Sequence, residues 1–557
     1  MFCSVLSGTV YGLRCHVIKV EIDISNGLPC VTMVGNIGSE VREAHERVRV
    51  ALKNTGITLP ATHISINFSP ADIKKSGTGL DLPIALGILR NMKIIPENAL
   101  EDIIIIGELG LDGEIKGVSG VMPMIWEASK QGIKKCIVPK ENVAEASLVE
   151  DVQVLSVSYL KDILDYYDRE KYKNESDNAD RDFSMSNMDN EYIDNKNVKR
   201  YKSSHNKITY DFDDIVGQEV MKRGALIAAA GKHHILLSGP PGSGKTMIAR
   251  RIPSIMPSMT TEESMDVTSI YSIAGKLDNN SPIIDERPFV DPHHTISPQG
   301  LAGGGLIPKP GALSLAHKGI LFLDELPEFK RETIDMLREP LEEKRIMISR
   351  ASGNFIYPAD IMLVAAMNPC PCGYYPDRNK CSCPPAVIKK YLSHISGPML
   401  DRIDLCITTQ RVKISEFSNL TSANTSIGKM NPGKSLPQKK NSNTSPENEQ
   451  FNFYSSDNMK QMVDRVIDIQ KTRYAKEKYS FNSELDINGI KKYCSLDADT
   501  ATKFERICEK MDISARAYHR VLKVARTIAD LSGEENIKFE HLSEALCYRP
   551  QIGGEID

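Results

Sequence analysis

An α/β fold built around a phosphate-binding loop is what this chain predicts, and three stretches predict it. Residues Gly239 to Thr246 spell Gly-Pro-Pro-Gly-Ser-Gly-Lys-Thr directly after the apolar run Ile235-Leu236-Leu237. A second apolar run, Gly319 to Leu323, ends in Asp324-Glu325, and a third, Ile361 to Met367, ends in Asn368. Short apolar runs of this kind suit parallel strands buried on both faces.

The first stretch is a Gly-x4-Gly-Lys-Thr loop in its required setting, between a buried strand and a helix. Gly239, Pro240, Pro241, Gly242, Ser243 and Gly244 bring backbone N–H groups around phosphate oxygens. Lys245 reaches the β and γ phosphates and the Thr246 hydroxyl holds Mg²⁺, so ATP and Mg²⁺ are the expected ligands. The helix that follows adds its positive N-terminus. Asp324 is expected to hold the water shell of Mg²⁺, and Glu325 to orient and deprotonate the attacking water. Asn368 is expected to position that water or the γ-phosphate; the alternative is a plain turn former. Arg402 falls between the short helix-like stretch from Ser396 and the apolar run Leu405-Cys406-Ile407. There it can reach a neighbouring subunit's γ-phosphate. The alternative is a surface pair with Asp401 or Asp404.

Length and composition set the frame. The 557 residues suffice for about three domains. Hydrophobic content of 41% and charged content of 25% are globular values. No apolar stretch approaches the about 20 residues of a membrane helix, so no membrane partner is expected, and Met1-Phe2-Cys3-Ser4 opens no signal peptide. Twelve mostly scattered cysteines fit a reducing compartment, and the expected location is the cytoplasm. A net charge of −4 excludes a basic nucleic-acid coat but not a ring with a local basic pore.

Polar, aliphatic-poor stretches at 167–210 and 413–457 divide the chain into folded parts at 1–166, 211–412 and 458–557. The first is α+β. Val17 to Ile24 alternates like a strand, Val41 to Lys53 is an amphipathic helix, Ile103 to Leu109 is a buried strand, and Asp112-Gly113 turns into its partner. The last part has helical apolar spacing in Met459 to Gln470 and Ala515 to Asp530 and reads as a helical bundle.

Cys370-Pro371-Cys372 and Cys381-Ser382-Cys383 place four thiols within 14 positions. Four thiolates make a closed tetrahedral Zn²⁺ site of structural type; metal-free thiols are the alternative. The adjacent His293 and His294 read as a loop held by hydrogen bonds; metal binding or nucleotide sensing is the alternative. Lys344 to Tyr357 reads as a hairpin with a polar turn.

The first part resembles the protease domain of Lon through Gly107-Glu108-Leu109-Gly110, Gly113-Glu114-Ile115, Gly132 to Lys135 and Val138 to Asn142. Lon works with a Ser–Lys dyad. Gly79 falls where that Ser belongs and Met122 where the Lys belongs, so the resemblance implies a Lon-protease-like (ribosomal S5 domain 2-like) fold without its chemistry. Over its whole length the chain resembles the YifB/ComM family of Mg-chelatase-like AAA+ ATPases. The motifs are Ile215 to Glu219, Pro292 to Ser297, Gly303 to Gly305, Ser314 to Gly319, Ser396 to Asp404 and Ser514 to Arg520. This resemblance implies a Lon-like domain, an AAA+ core and a helical lid. It also implies a homo-hexameric ring acting on single-stranded or branched DNA, with branch migration in natural transformation. In that pattern Arg516 is the lid's sensor arginine, or else an amphipathic-helix Arg with its stem on the core. Val216 and Gly217 pack near the adenine. The hairpin faces the pore with Arg345 and Arg350 as phosphate contacts, an ordinary solvated hairpin being the alternative. The rival reading is a protein- or cofactor-remodelling motor like the Mg-chelatase ATPase subunits, from which the Lon-like domain and the cysteine knuckle are expected to separate this chain.

Overall fold

The computed structural model describes residues 2–165, 210–278, 282–305, 308–350, 353–409 and 453–549. Residues 167–209 of the expected linker and residues 413–452 of the expected insert lie outside the described residues.

In the N-terminal part, β1 (Phe2–Tyr11) and β2 (Arg14–Ser25) form an antiparallel hairpin with Gly12 in its turn. β2 continues antiparallel to β4 (His63–Ser69), and β3 (Cys30–Val34) lies parallel outside it. On the other side β1 runs parallel to β5 (Ile103–Ile105). The small pair β6 (Glu108–Leu109) and β7 (Ile115–Lys116) follows, then parallel β8 (Lys135–Pro139) and β9 (Gln153–Val157), giving the order β3-β4-β2-β1-β5-β8-β9. Alternating side chains bury both faces. Ile103 and Ile105 join helices Ser39–Asn54 and Asp81–Asn91, whereas Ile104 and Ile106 join helix Val121–Lys130. The strand expected from Ile103 to Leu109 is broken. Gly107 N–H bonds to Gly79 O, and the chain leaves the sheet to form β6 and β7 around Gly113 at φ +87°.

The second part holds β10 (Ile235–Ser238), β11 (Phe289–Val290), the short pair β12 (Gly303–Gly304) and β13 (Lys309–Pro310), β14 (Ile320–Leu323), the hairpin β15 (Arg345–Arg350) and β16 (Gly353–Pro358), β17 (Met362–Met367) and β18 (Leu405–Thr408). Five of them form a wholly parallel sheet, β11-β14-β17-β10-β18. Leu236, Leu321 and Leu363 face one apolar cluster. Ile235, Phe322 and Val364 face another, which runs on into helices Ser456–Arg473 and Ala515–Leu531. The helical lid and the nucleotide-binding sheet therefore share a core. Ser456 and Asp457, which composition places in the insert, form the first turn of a lid helix: Ser455 caps it, Ser456 N–H bonds to Asp211 Oδ1 (3.0 Å), and Phe212 N–H bonds to Ser456 Oγ (2.9 Å).

Helix Val121–Lys130 of the N-terminal domain packs on core helix Thr261–Ala274. At this seam the buried Glu145 carboxylate accepts from Met122 N–H (2.8 Å), Asn142 Nδ2 (3.2 Å) and Ser272 Oγ across the boundary. Among the described residues no helix is long and apolar enough to cross a membrane.

Candidate nucleotide site and its surroundings

In-register parallel strands bring the polar strand ends together. Ser238 pairs with Met367 and Leu323 with Ala365, so the phosphate loop, Asp324-Glu325 and Asn368 emerge side by side at the carboxyl edge of the sheet, where open α/β sheets bind ligands. Gly242 and Gly244 take φ of +75° and +87°, which glycine adopts at no steric cost. Lys245 Nζ donates to Gly239 O (2.7 Å), Pro240 O (3.0 Å) and Asn368 Oδ1 (3.2 Å). Burial pushes its pKa down, and the Asp324 and Glu325 carboxylates oppose that. Thr246 Oγ1 donates to Asp324 Oδ2 (2.8 Å) and Glu325 N–H to Asp324 Oδ1 (2.9 Å). Ser243, Lys245, Thr246, Asp324, Glu325 and Asn368 all line one cavity of about 320 Å³, at the small end for ligand sites. A wider cleft, about 610 Å³ between Pro298–Gly303 and β15, contains none of these residues. The small cavity is the chemical one because its polar groups converge. Its donor set fits Mg²⁺ and a triphosphate: a cradle of N–H groups, one ammonium, and a hydroxyl already against a carboxylate.

Val216 and Gly217 do not line this cavity. Gly217 and Gln218 have φ of +64° and +57°, and Thr409 Oγ1 donates to Gln218 Oε1 (2.5 Å).

Arg402 is buried and fully bonded within its own chain. Nε donates to Arg338 O (3.1 Å), Nη1 to Pro398 O (2.7 Å), and Nη2 lies 2.7 Å from Glu342 Oε1. Asp404 pairs with Arg520 (2.6 Å) instead. Arg402 and the exposed Arg516 line a separate cavity of about 270 Å³ that holds no phosphate-loop residue. Arg345 and Arg350 are exposed on β15, with long contacts of 3.4 Å to Glu343 and to Ser349 O.

The four cysteines converge. Cys370 Sγ lies 3.3 Å from Cys372 Sγ and 3.7 Å from Cys381 Sγ, the last two are 3.5 Å apart, and all four sulfurs lie within 4.8 Å of one another. Zn–S bonds of about 2.3 Å put tetrahedral sulfurs about 3.8 Å apart, so the group fits Zn²⁺. Gly373 and Tyr375 N–H groups point at Cys370 Sγ (3.2 and 3.4 Å). A Cβ on Gly373, whose φ is +85°, would lie 2.5 Å from Pro241 Cδ. The knuckle thus rests on the phosphate loop.

His293 fits the expected hydrogen-bonded loop, with Nδ1 2.9 Å from Thr295 Oγ1. His294 does not: its Nδ1 lies 3.4 Å from Glu325 Oε2. Residue spacing held no signal for this contact, which arises because β11 lies beside β14.

The Lon dyad positions are apolar. A Cβ on Gly79 would meet Ile106 and Val118 at 3.5 and 3.6 Å. Met122 is fully buried with Ile104, Ile106 and Val138. Lys75 is buried elsewhere, its Nζ on Pro70 O, and burial lowers its pKa.

Fold and site together define an AAA+ nucleotide-binding protein with a Lon-like domain in front and a helical lid behind. Matching family profiles cover each part: "Magnesium chelatase, subunit ChlI" over residues 211–417, "Subunit ChlI of Mg-chelatase" over 20–142 and "Magnesium chelatase, subunit ChlI C-terminal" over 454–549. The chain is 38% identical over 549 residues to competence protein ComM of Haemophilus influenzae, covering 98% of this chain and 97% of that protein. It is 37% identical over 538 residues to protein YifB of Escherichia coli, at 97% and 95% coverage. Lon protease 2 of Bacillus subtilis matches 150 residues at 30% identity, 25% of this chain and 26% of that protein. The chain belongs to the YifB/ComM family of Mg-chelatase-like AAA+ proteins. One expectation needs correction: the profile over residues 20–142 is itself described as a Mg-chelatase subunit, so the N-terminal domain does not separate this chain from the chelatases.

Proposed function

We propose that this protein is an ATP-driven ring motor that acts on single-stranded or branched DNA, as a helicase or branch-migration motor in recombination or natural transformation. The supporting observation is the complete phosphate site in a chain 38% identical along its length to a competence protein. Lys245 exchanges its carbonyl partners for phosphate oxygens. Thr246 and Asp324, already paired at 2.8 Å, hold Mg²⁺, which when bound neutralises charge on the phosphates. Glu325 takes a proton from water as its oxygen attacks the γ phosphorus, the bond to the bridging oxygen breaks, and ADP leaves. Asn368, which accepts from Lys245 Nζ at 3.2 Å, would position the attacking water or the γ-phosphate.

Arg402 and Arg516 line one cavity away from their own phosphate loop. Both therefore serve a neighbour's nucleotide, in a closed ring taken as hexameric from the family. The exposed Arg345 and Arg350 of β15 are the candidates for phosphate contacts in the pore. The N-terminal domain is a scaffold and not a peptidase, because Gly79 and Met122 supply no nucleophile or base. The Cys370, Cys372, Cys381 and Cys383 knuckle holds one structural Zn²⁺, and metal analysis of protein purified without chelator should give about one Zn²⁺ per chain.

The deciding experiment is ATP turnover with and without single-stranded and junction DNA, run beside a mobile-junction branch-migration assay. ATP-dependent product that Glu325→Gln abolishes supports the motor. Turnover indifferent to every DNA form at low salt, where phosphate contacts are strongest, would move the reading to protein remodelling.

A further inference from the structure

The hairpin that carries Arg345 and Arg350 is a two-stranded sheet of its own, and a lone pair of strands is marginally stable in water. Its shape comes from what its inward face rests on. Alternation along β15 and β16 buries Ile346, Ile348, Phe355 and Tyr357 and leaves Arg345, Met347, Asn354 and Ile356 exposed. At the root, Tyr357 Oη donates to Pro308 O (2.6 Å) and ties that end to the core. Near the tip the support comes from the other domain. The Tyr11 ring at the end of β1 lies 4.7 Å from the Phe355 ring, tilted by 41°, within the range of attractive aromatic pairs. Phe355 is 5% exposed although it is the third residue after the hairpin turn. Tyr11 also covers Gly353, where a Cβ would lie 2.3 Å from the Tyr11 hydroxyl oxygen. Gly353 stands directly opposite Arg350 in the hairpin register.

Tyr11 is carried by a stiff element. β1 lies inside the seven-stranded sheet, between β2 and β5, and Tyr11 pairs with Arg14 across the turn. The turn itself presses on the hairpin: a Cβ on Gly12 would lie 3.2 Å from Phe355 Cδ1. Leu13 packs on the same apolar cluster as Ile346, Ile348 and Tyr357. The domain's other hold on the core is the helix seam, Val121–Lys130 against Thr261–Ala274, with Ser272 on Glu145. A cavity of about 440 Å³ is lined from both contacts, by Leu13 and Pro358 beside the hairpin and by Trp126 and Ser269 beside the helices. The N-terminal domain thus touches the core at two places, and its sheet spans from one to the other. Where the domain sits on helix Thr261–Ala274 decides where Tyr11 stands, and Tyr11 decides where the hairpin tip can rest.

We propose that Tyr11 is a positioning residue for DNA binding: through the Tyr11–Phe355 pair the N-terminal domain holds the hairpin tip and presents its arginines, Arg350 above all, to the strand. This rests on the reading that β15 contacts DNA. A hairpin tied at Tyr357 and released at the tip samples other positions, and apparent affinity falls with the fraction of chains whose tip is in place. One aromatic pair shifts such an equilibrium about 2- to 12-fold. The task needs a rigid shape and no nucleophile, in accord with Gly79 and Met122 at the dyad positions.

The test measures affinity for a fluorescent single-stranded oligonucleotide at low salt, and ATP turnover with and without that strand, in full-length variants. Tyr11→Ala should weaken strand affinity about 3- to 10-fold and cut the stimulation of turnover in step. Its basal kcat and KM for ATP should stay within about 2-fold of wild type. Tyr11→Phe keeps the ring and should bind the strand within about 2-fold of wild type. Should Ala lower Tm, Phe355→Leu breaks the same pair from the hairpin side, keeps an apolar side chain, and should weaken strand affinity likewise. Placed on Arg345→Ala/Arg350→Ala, the Tyr11→Ala change should add less than about 2-fold, because its effect runs through those arginines. Strand affinity of Tyr11→Ala within about 2-fold of wild type, with Arg345→Ala/Arg350→Ala impaired, overturns the proposal and leaves the DNA reading in place. Equal loss of basal turnover and strand affinity in both Tyr11→Ala and Tyr11→Phe also overturns it, since that pattern is a general loss of folding. Undiminished strand affinity in Arg345→Ala/Arg350→Ala would remove the hairpin reading itself.

Discussion

The Lon-like domain and the nucleotide-binding core each hold their key positions beside buried strands, and they fill them in opposite ways. At Gly79 and Met122 the neighbouring side chains include Ile106, Val118, Ile104 and Val138. At the phosphate loop the ammonium and the hydroxyl have polar partners: Lys245 on two carbonyls and Asn368, Thr246 on Asp324. These phosphate-loop groups satisfy one another, Ser243 Oγ excepted, and a buried group without a partner costs about 1–3 kcal/mol.

The largest test of this contrast is Arg402→Ala. If Arg402 leaves Glu342 to act on a neighbour's γ-phosphate, turnover should fall about 1,000-fold, the low end for such arginines, with nucleotide binding mostly kept. Mixing this variant with Lys245→Ala subunits should restore part of the turnover. Undiminished activity of Arg402→Ala in a dilute ATPase assay would confine the residue to its bonds with Arg338, Pro398 and Glu342.

Next comes the seam. Glu145→Ala leaves Met122 N–H and the Ser272 hydroxyl without their acceptor and should cost about 3 kcal/mol, read as a lower Tm in calorimetry. Basal hydrolysis at a temperature where the variant is folded should stay near wild type. A marked loss of hydrolysis there would give the N-terminal domain a share in the chemistry.

The smallest effect is acid sensitivity of the core. His317 is buried and His234 partly so by surface exposure, yet in both Nδ1 accepts a backbone N–H, from Asp360 and Leu363. An accepting nitrogen cannot carry a proton, and burial holds both imidazoles down to about 4 from an ordinary 6.5. The unfolded chain binds those protons first as pH falls. Stability is therefore full above about 6.5 and declines as pH drops towards 4. None of His16, His45 and His63 in the N-terminal domain is fully buried, so in a pH series of melts the core transition should move down before the N-terminal one.

Much of this was legible in the residues themselves. Apolar runs ending in Asp324-Glu325, Asn368 and the glycine loop are self-announcing, because a strand buried on both faces has no polar residue until it leaves the sheet. What was hidden depends on which strands lie side by side. The His294–Glu325 contact needs β11 against β14, and the Arg402–Glu342 pair joins residues far apart in sequence. The strand that breaks at Gly107 and the helix that starts at Ser456 were misjudged for a related reason. In each, a hydrogen bond from a distant segment, Gly79 O or Asp211 Oδ1, overrides local pattern.

The contact between Gly373 and Pro241 bears on which sequences this architecture can accept. A methyl group at position 373 would have to occupy space 2.5 Å from Pro241 Cδ while holding a φ of +85°. Two independent obstacles, one steric and one conformational, close that position to every side chain, whether or not a metal is bound between the thiols. The knuckle's composition is therefore dictated from outside as well as from within: its cysteines answer to one another, and its glycine answers to the phosphate loop.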